Sequence, residues 1–201
     1  MKNLFEESCK YFKRFIILVA IYVLFSCQSA YYTHDLESTP YGVDYSKGKW
    51  LLNEIDAPYT IKDKLAKIAK EKFSKNIGSA FKYLGDDKSM ALSYVPINPD
   101  TLLLKRLKKE SQFDYLINIK GVNVKNEIGF IQDGYLDVYK KNVSETILQI
   151  YDLNTLEIIY NRKVIGKVTP FNEEDNDLHL VKSPNGMIVK SLNKILKKLN
   201  K

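Results

Sequence analysis

The fold is decided by residues Glu145–Val168, which read ETILQIYDLNTLEIIYNRKVIGKV. The runs Glu145–Tyr151 and Leu156–Val168 are rich in β-branched and aromatic residues, which favour strands. Between them, Asp152–Thr155 has the chemistry of a turn. The stretch therefore predicts a β-hairpin, and the sheet to which this hairpin belongs organises the rest of the domain.

The sequence before the hairpin begins with a strand signal and a helix signal. Trp50–Ile55 is a short apolar segment of extended character. A helical pattern follows, in which Thr60 is the predicted N-cap and Asp63 occupies the acidic position of a capping box. Gly78 is predicted to end this helix.

A second strand and helix follow in the same order. Met90–Val95 predicts a short strand, Asn98 the N-cap of a helix, and Pro99 its first residue. Phe113–Val124 is apolar at most positions, which is typical of a central strand. The more variable stretch Ile128–Tyr139 predicts an edge strand.

The chain ends in an amphipathic helix that Ser183 and Pro184 open. Its apolar face is predicted to hold Ile188, Leu192, Ile195, Leu196 and Leu199. Its other face holds Lys190, Lys194, Lys197, Lys198 and Lys201. The order of elements predicts a single α/β or α+β domain over residues 50–201, with a mixed β-sheet, helices packed on it and at least one parallel crossover.

The first 26 residues have the layout of a secretory signal peptide. Lys10, Lys13 and Arg14 precede the uncharged apolar run Phe15–Phe25, and the basic flank favours the cytoplasmic side. Eleven residues of helix span only about 16 Å of a hydrocarbon core near 30 Å. We therefore expect cleavage after Ser26. The alternative is an uncleaved, tilted anchor that continues beyond this run.

The end of this segment, Leu24-Phe25-Ser26-Cys27, resembles the lipobox of bacterial lipoproteins, although Phe25 departs from the small residue usual at that position. The resemblance implies cleavage between Ser26 and Cys27, and lipid attachment, including an acyl chain such as palmitate, at Cys27. Stable anchoring needs more than one acyl chain. The implied location is the cell membrane or outer membrane of a bacterium, with the domain facing the periplasm. The alternative makes Cys27 an ordinary small residue of a membrane segment.

Residues 27–49 carry no sustained periodicity, and we predict that they form a lipid-anchored tether or a loosely docked loop. The tether contains four tyrosines, which are expected either to dock on the domain or to lie at the membrane interface: Tyr31, Tyr32, Tyr41 and Tyr45. His34 is expected to be solvated.

A second resemblance covers the domain. A helix that ends in Leu107-Lys108-Lys109, the strand beginning at Phe113-Asp114-Tyr115 and the hairpin turn Asp152–Thr155 together resemble the TolB amino-terminal-like fold of envelope lipoproteins. That family includes curli-secretion proteins and activators of penicillin-binding proteins. The resemblance implies an assembly or regulatory role through a protein partner. Leu156 stands where glycine is common in that hairpin, which leaves the type of turn open.

The domain offers few residues for catalysis or metal binding. Both cysteines, Cys9 and Cys27, lie at the N-terminal segment, and His179 is the one histidine after the tether. Residues 173–177, with Glu173, Glu174, Asp175 and Asp177, form either a solvated loop or a weak cation site. We therefore expect no enzyme activity, no metal, no cofactor and no nucleic acid partner.

Three functions remain open at this point. The favoured one is a non-enzymatic, lipid-anchored interaction or assembly module of the cell envelope. A small-molecule or lipid carrier would need an apolar cavity between sheet and helices. An envelope enzyme would need a pocket with paired carboxylates of shifted pKa.

Overall fold

The computed structural model describes residues 30–35, 39, 42–86, 94–126, 131–132, 135–136, 142–168 and 182–199. The strands of its main sheet are β1 (Tyr31–His34), β2 (Trp50–Leu52), β3 (Phe81–Tyr83), β4 (Tyr115–Asn126), β7 (Asn142–Asp152) and β8 (Glu157–Val168). A separate two-stranded sheet consists of β5 (Ile131–Gln132) and β6 (Tyr135–Leu136). The described helices are α1 (Tyr59–Ile77), α2 (Thr101–Ser111) and α3 (Pro184–Lys198).

The main sheet is mixed, with the spatial order β1-β8-β7-β4-β2-β3. Strand β2 runs parallel to both β3 and β4, and the remaining pairs are antiparallel. The predicted hairpin is therefore confirmed as β7 and β8, and the predicted central strand as β4. The mixed sheet with packed helices confirms the predicted fold class, a single domain of the α+β kind.

The two parallel crossovers explain why helices lie on both faces of the sheet. From β2 the chain crosses through α1 to β3 on one side, and from β3 it returns through α2 to β4 on the other side of β2. Crossovers between parallel strands are right-handed. Because the second crossover runs across the sheet in the direction opposite to the first, its helix α2 lies on the opposite face from α1. Helix α3 then packs beside α1.

The larger core lies between the sheet and the layer formed by α1 and α3. Trp50, Ile117, Leu148 and Val164 contribute from four strands, and Phe73 from α1 is among the helical residues that cover them. Trp50 stacks on the Tyr115 ring with centroids 4.1 Å apart. The predicted apolar residues of α3, from Ile188 to Leu199, belong to this core.

A smaller core lies under α2 on the opposite face. Leu104 and Leu107 of α2 pack there with Leu51, Leu116 and Tyr151 of the sheet. This core covers only the end of the sheet where β2 and β4 begin.

The helix starts differ from those predicted. Helix α1 begins at Tyr59 with Pro58 at the N-cap, so Thr60 lies inside the helix. The N-cap of α2 is Asp100, whose carboxylate accepts a hydrogen bond from the Leu103 backbone N–H, and not Asn98. The other predicted helix boundaries, Ser183 before α3 and Gly78 after α1, are confirmed.

The structure of three short segments also differs from the predicted one. Tyr31–His34, predicted to be part of an irregular tether, forms edge strand β1 against β8. Tyr94 and Val95 are not in a strand, and residues 90–93 lie outside the described residues. Strands β5 and β6 replace the predicted edge strand within Ile128–Tyr139.

Candidate interaction surfaces

The residues predicted for lipid attachment and cleavage, Ser26 and Cys27, lie outside the described residues, as does the apolar run Phe15–Phe25. The acidic cluster at 173–177 and His179 also lie outside them. No described helix has the length and apolar character that crossing a bilayer requires. The structure nevertheless bears on the anchor, because β1 begins only four residues after Cys27.

Strand β1 is held to the domain by both pairing and packing. Tyr32 faces the helical layer and packs against the larger core. The Lys190 and Lys194 amines lie 5.3 and 5.1 Å from the centroid of the Tyr32 ring, within the range of a cation–π interaction. Burial raises the pKa of Tyr32. Tyr45 also docks on this core, beside Trp50, whereas Tyr31 remains 64% exposed.

His34, which was expected to be solvated, is partly buried in β1. Partial burial lowers the pKa of His34, and the nearby charges of Lys198, Arg162 and Lys194 lower it further. Its Nδ1 atom is buried without a hydrogen-bond partner. The His34 ring therefore lies among positive charges at the junction of β1 and α3.

The outer side of α1 and α3 carries a net positive charge as large as that of the whole protein. The two helices contain ten lysines and two acidic residues, a net charge of +8, whereas the whole chain has +7. Lys62 and Lys70 form ion pairs with Glu54 and Asp86. The other eight have no ion pair among the described residues, and we call them the lysine face: Lys64, Lys67, Lys72, Lys75, Lys190, Lys194, Lys197 and Lys198.

A shallow concavity of about 310 Å³ shows that the two helices present one continuous surface. Ile68, Glu71 and Lys72 line it from α1, and Asn193, Leu196 and Lys197 line it from α3. The concavity lies outside the helical layer, away from the sheet. Sequence periodicity identified the lysines of α3, but only the packing of α3 beside α1 joins them to those of α1.

On the opposite side of the sheet, α2 is the one described helix, and it covers only the end where β2 and β4 begin. Alternation along the strands directs ten side chains to this side, most of them half-buried, and we call them the sheet face: Lys120, Val122, Val143, Glu145, Ile147, Lys163, Ile165, Lys167, Tyr31 and Thr33. No described helix packs on it. Val124, the extra residue of a bulge in β4, lies at its rim and is 59% exposed.

Two ion pairs lie on or beside the sheet face. The Lys163 amine lies 2.9 Å from the Glu145 carboxylate, and the Lys120 amine lies 3.2 Å from that of Asp56. The Tyr94 hydroxyl donates to Asp56 at 2.9 Å. Burial and this hydrogen bond raise the pKa of Tyr94 to about 12, so the phenol stays protonated at neutral pH. Among the described residues of this face, carboxylates are partnered by lysine rather than by a second carboxylate.

A row of buried amides closes the sheet face at the end near α2. Asn53, Asn118 and Gln149 come from three neighbouring segments and fix the chain between Val95 and Asn98. The Asn53 amide donates to the Val95 carbonyl at 2.6 Å, and the Gln149 amide donates to the Asn98 side chain at 2.7 Å. Most buried amide groups in proteins are hydrogen-bonded, because an unpaired one costs free energy. We call these three side chains the amide clamp. The clamp was not predicted, because isolated amide side chains in a strand do not reveal their partners.

The second concavity lies along α2 and has a volume of about 680 Å³. Its described lining comes from the outer side of that helix and is mainly charged: Asp100, Leu102, Leu103, Lys105, Arg106, Lys109 and Glu110. Leu102 is 77% exposed. Neither concavity lies between the sheet and the helices, where a carrier would need its cavity. In the described part of the chain, no three His, Cys, Asp or Glu residues converge as metal ligands.

Comparison with known proteins gives only distant likeness. No family model and no curated protein matches the chain. Among solved structures, the PelC dodecamer from Paraburkholderia phytofirmans is 10% identical with a TM-score of 0.46, over 86% of this chain and 98% of that chain. Lipoprotein GNA1162 from Neisseria meningitidis is 11% identical with a TM-score of 0.43, over 75% and 99%.

The LpoB C-terminal domain from Escherichia coli is 11% identical with a TM-score of 0.32, over 64% of this chain and 88% of that chain. A lipoprotein is thus among the similar structures. Because all three TM-scores are below 0.5, these likenesses carry no argument about family or function. The resemblance to the TolB amino-terminal-like fold stays a prediction.

Proposed function

We propose that this chain is a bacterial lipoprotein, cleaved after Ser26 and anchored by acyl chains on Cys27, whose domain binds a protein partner in the cell envelope. The anchor holds it on the cell membrane or outer membrane with the domain in the periplasm. The domain acts as a non-enzymatic interaction or assembly module.

The sheet face is the observation that carries this proposal. One side of the sheet is packed by two helices, whereas no described helix covers much of the other. There, apolar side chains such as Ile147 and Ile165 alternate with the ion-paired Glu145 and Lys163. A surface that combines apolar area with a few fixed charges suits recognition of another protein, because the charges select the partner and the apolar groups supply affinity.

The lipobox-like sequence supports the anchor. A run of eleven apolar residues is too short to cross a bilayer alone, which favours cleavage over a retained anchor. Because cleavage removes this run, stable attachment afterwards requires acyl chains. Intact-mass measurement of protein extracted from bacterial membranes with detergent is the direct test. The expected mass lacks residues 1–26 and includes a lipid adduct on Cys27. A Cys27→Ala variant is expected to lose the adduct and leave the membrane fraction. Retention of Met1 to Ser26 without an acyl group would contradict the anchor.

The partner surface is tested by photo-crosslinking in living cells. A photoreactive amino acid is placed at Val124, Ile147 or Ile165 on the sheet face, with Glu110 on α2 as a control position. We expect one discrete adduct from the sheet-face positions and none from the control. An adduct of twice the mass of this chain would show that the partner is a second copy of the chain and not a separate protein. Equal crosslinking at all four positions would contradict a specific surface.

A further inference from the structure

The net positive charge of the domain is concentrated on one side. Residues 27–201 have a formal charge of +5, and α1 and α3 alone contribute +8, so everything else in that range is −3. Surface lysines are ordinarily interspersed with acidic residues, which keeps fields of one sign small. The lysine face has only Asp63 and Glu71 within its two helices.

This face begins next to the point where the chain leaves the domain toward Cys27. Tyr32 of β1 contacts Lys190 and Lys194 of α3, so these amines lie at the first strand after the anchor. Three residues lie between Cys27 and Tyr31, and the four steps along the chain span at most about 14 Å. An anchored Cys27 therefore keeps β1 close to the lipid headgroups, within about two Debye lengths at physiological salt.

We propose that the lysine face docks the domain on the anionic headgroups of the membrane that holds its anchor. This inference rests on the proposed lipid attachment at Cys27. Its chemistry is the attraction between lysine ammonium groups and lipid phosphates, which acts within a Debye length of the surface.

The docked orientation leaves the sheet face available. The lysine face and the sheet face lie on opposite sides of the same sheet, since α1 and α3 pack on one side and the sheet face is the other. When α1 and α3 rest on the membrane, the sheet face points into the periplasm. A single short tether and one charged face thus present the partner surface away from the lipid.

The test uses the mature protein, extracted from membranes and reconstituted through its own anchor into vesicles. One set of vesicles contains only phosphatidylcholine, and the other also contains anionic phosphatidylglycerol. A water-soluble amine reagent labels exposed lysines, and peptide mass spectrometry measures the rate at each one. We expect labelling of Lys67, Lys75, Lys190 and Lys197 to slow by at least about fivefold on the anionic vesicles. Lys105 and Lys109 on α2 are expected to keep their rates.

Charge-reversal variants separate docking from a general effect of charge. K67E/K75E/K197E changes three exposed lysines of the lysine face and is expected to abolish the protection of Lys190. The matched control K105E/R106E/K109E makes the same change in charge on α2 and is expected to retain it. High salt should remove protection in the unmodified protein, because counterions screen the attraction.

Flotation of the vesicles at high salt reports the anchor separately. Protein that floats with phosphatidylcholine vesicles, yet shows equal labelling of the lysine face on both kinds, would overturn docking and leave the anchor standing. Protein that does not float at high salt, but binds anionic vesicles at low salt through the lysine face, would overturn the anchor and support docking. Protection on both kinds of vesicle would assign the face to contact between copies of the chain and overturn docking on lipid.

Discussion

Individual residues in uncommon backbone conformations mark places where the fold constrains the chain. Gln112 and Leu156 both have positive φ angles, 58° and 64°. Gln112 closes α2, where its N–H bonds to the Lys108 carbonyl. Leu156 closes the β7–β8 turn, where its N–H bonds to the Asp152 carbonyl at 2.7 Å. The sequence left the type of this turn open. The structure shows that Leu156 ends the turn in the left-handed conformation, which glycine adopts most readily.

Replacing Gln112 by glycine should stabilise the domain. The left-handed conformation costs a residue with a Cβ atom about 1–2 kcal/mol, and glycine avoids this cost. Because the unfolded chain is more flexible at glycine, about 0.5–1 kcal/mol of the stabilisation is lost again. Gln112 is exposed, so its side chain sacrifices little packing. Urea unfolding of Q112G is expected to show a gain of roughly 0.5–1 kcal/mol. Q112A keeps the Cβ atom, and a similar gain in that variant would contradict the explanation.

Asp114 gives the domain a predictable response to acid. The Lys108 amine bonds to its carboxylate at 2.6 Å, the Lys49 backbone N–H bonds to it at 2.8 Å, and together they lower the pKa of Asp114 below its usual 3.8. A carboxyl group with a lowered folded-state pKa stabilises fully above its unfolded pKa, and this contribution disappears as the pH falls through the folded-state pKa.

We therefore expect D114N to be less stable than the unmodified protein near neutral pH, and the difference to shrink below about pH 4. Both side chains are about a third exposed, so the difference should remain below about 1 kcal/mol. Urea unfolding at several pH values measures it. K108Q should also weaken the pH dependence of the free energy of unfolding. The double variant K108Q/D114N should be only slightly less stable than either single variant. A constant difference between D114N and the unmodified protein at all pH values would show that Asp114 acts without its charge.

At the scale of the element, the short helix α2 depends on its cap and on two buried leucines. Asp100 accepts the Leu103 N–H at 2.7 Å, which satisfies one of the otherwise unpaired amides of the first turn. The prediction from sequence placed the cap at Asn98, because Asn-Pro is a common helix start. Tertiary structure decides otherwise, since Asn98 exchanges two hydrogen bonds with Gln149 of β7 and has a φ of 55°.

Truncation of the cap should destabilise α2. D100A is expected to lower the free energy of unfolding by about 1 kcal/mol, whereas D100N keeps an acceptor oxygen and should lose much less. Thermal or urea unfolding compares the two variants. Equal losses in D100A and D100N would indicate that charge, and not the cap, is what Asp100 contributes.

At the scale of the whole molecule, tether length controls the proposed docking. A Gly-Ser segment of about ten residues, inserted between Ser29 and Ala30, adds an end-to-end distance of about 17 Å, which is greater than a Debye length of about 8 Å. The insertion leaves the lipobox-like motif intact. Flotation with vesicles should be unchanged, while protection of Lys190 on anionic vesicles should decrease. The same segment added after Lys201 is the control, and an equal loss of protection there would count against the role of the tether.

The sequence by itself determined the elements whose signals are local. The hairpin follows from β-branched runs around a turn, and α3 from its apolar periodicity with Ser183 and Pro184 at its start, because strands and helices repeat with periods that neighbouring residues reveal. The predicted class of fold, a mixed sheet with helices packed on it, followed from the order of these elements.

Only the tertiary structure decided the features that depend on contacts between distant segments. Strand β1 has too few residues to show a period, and it forms because β8 offers an unpaired edge and the larger core receives Tyr32. The amide clamp and the two faces arise in the same way, from strand register and from the side of the sheet on which each crossover places its helix. Register and side are set by the total burial of the folded chain, which no short window of sequence contains.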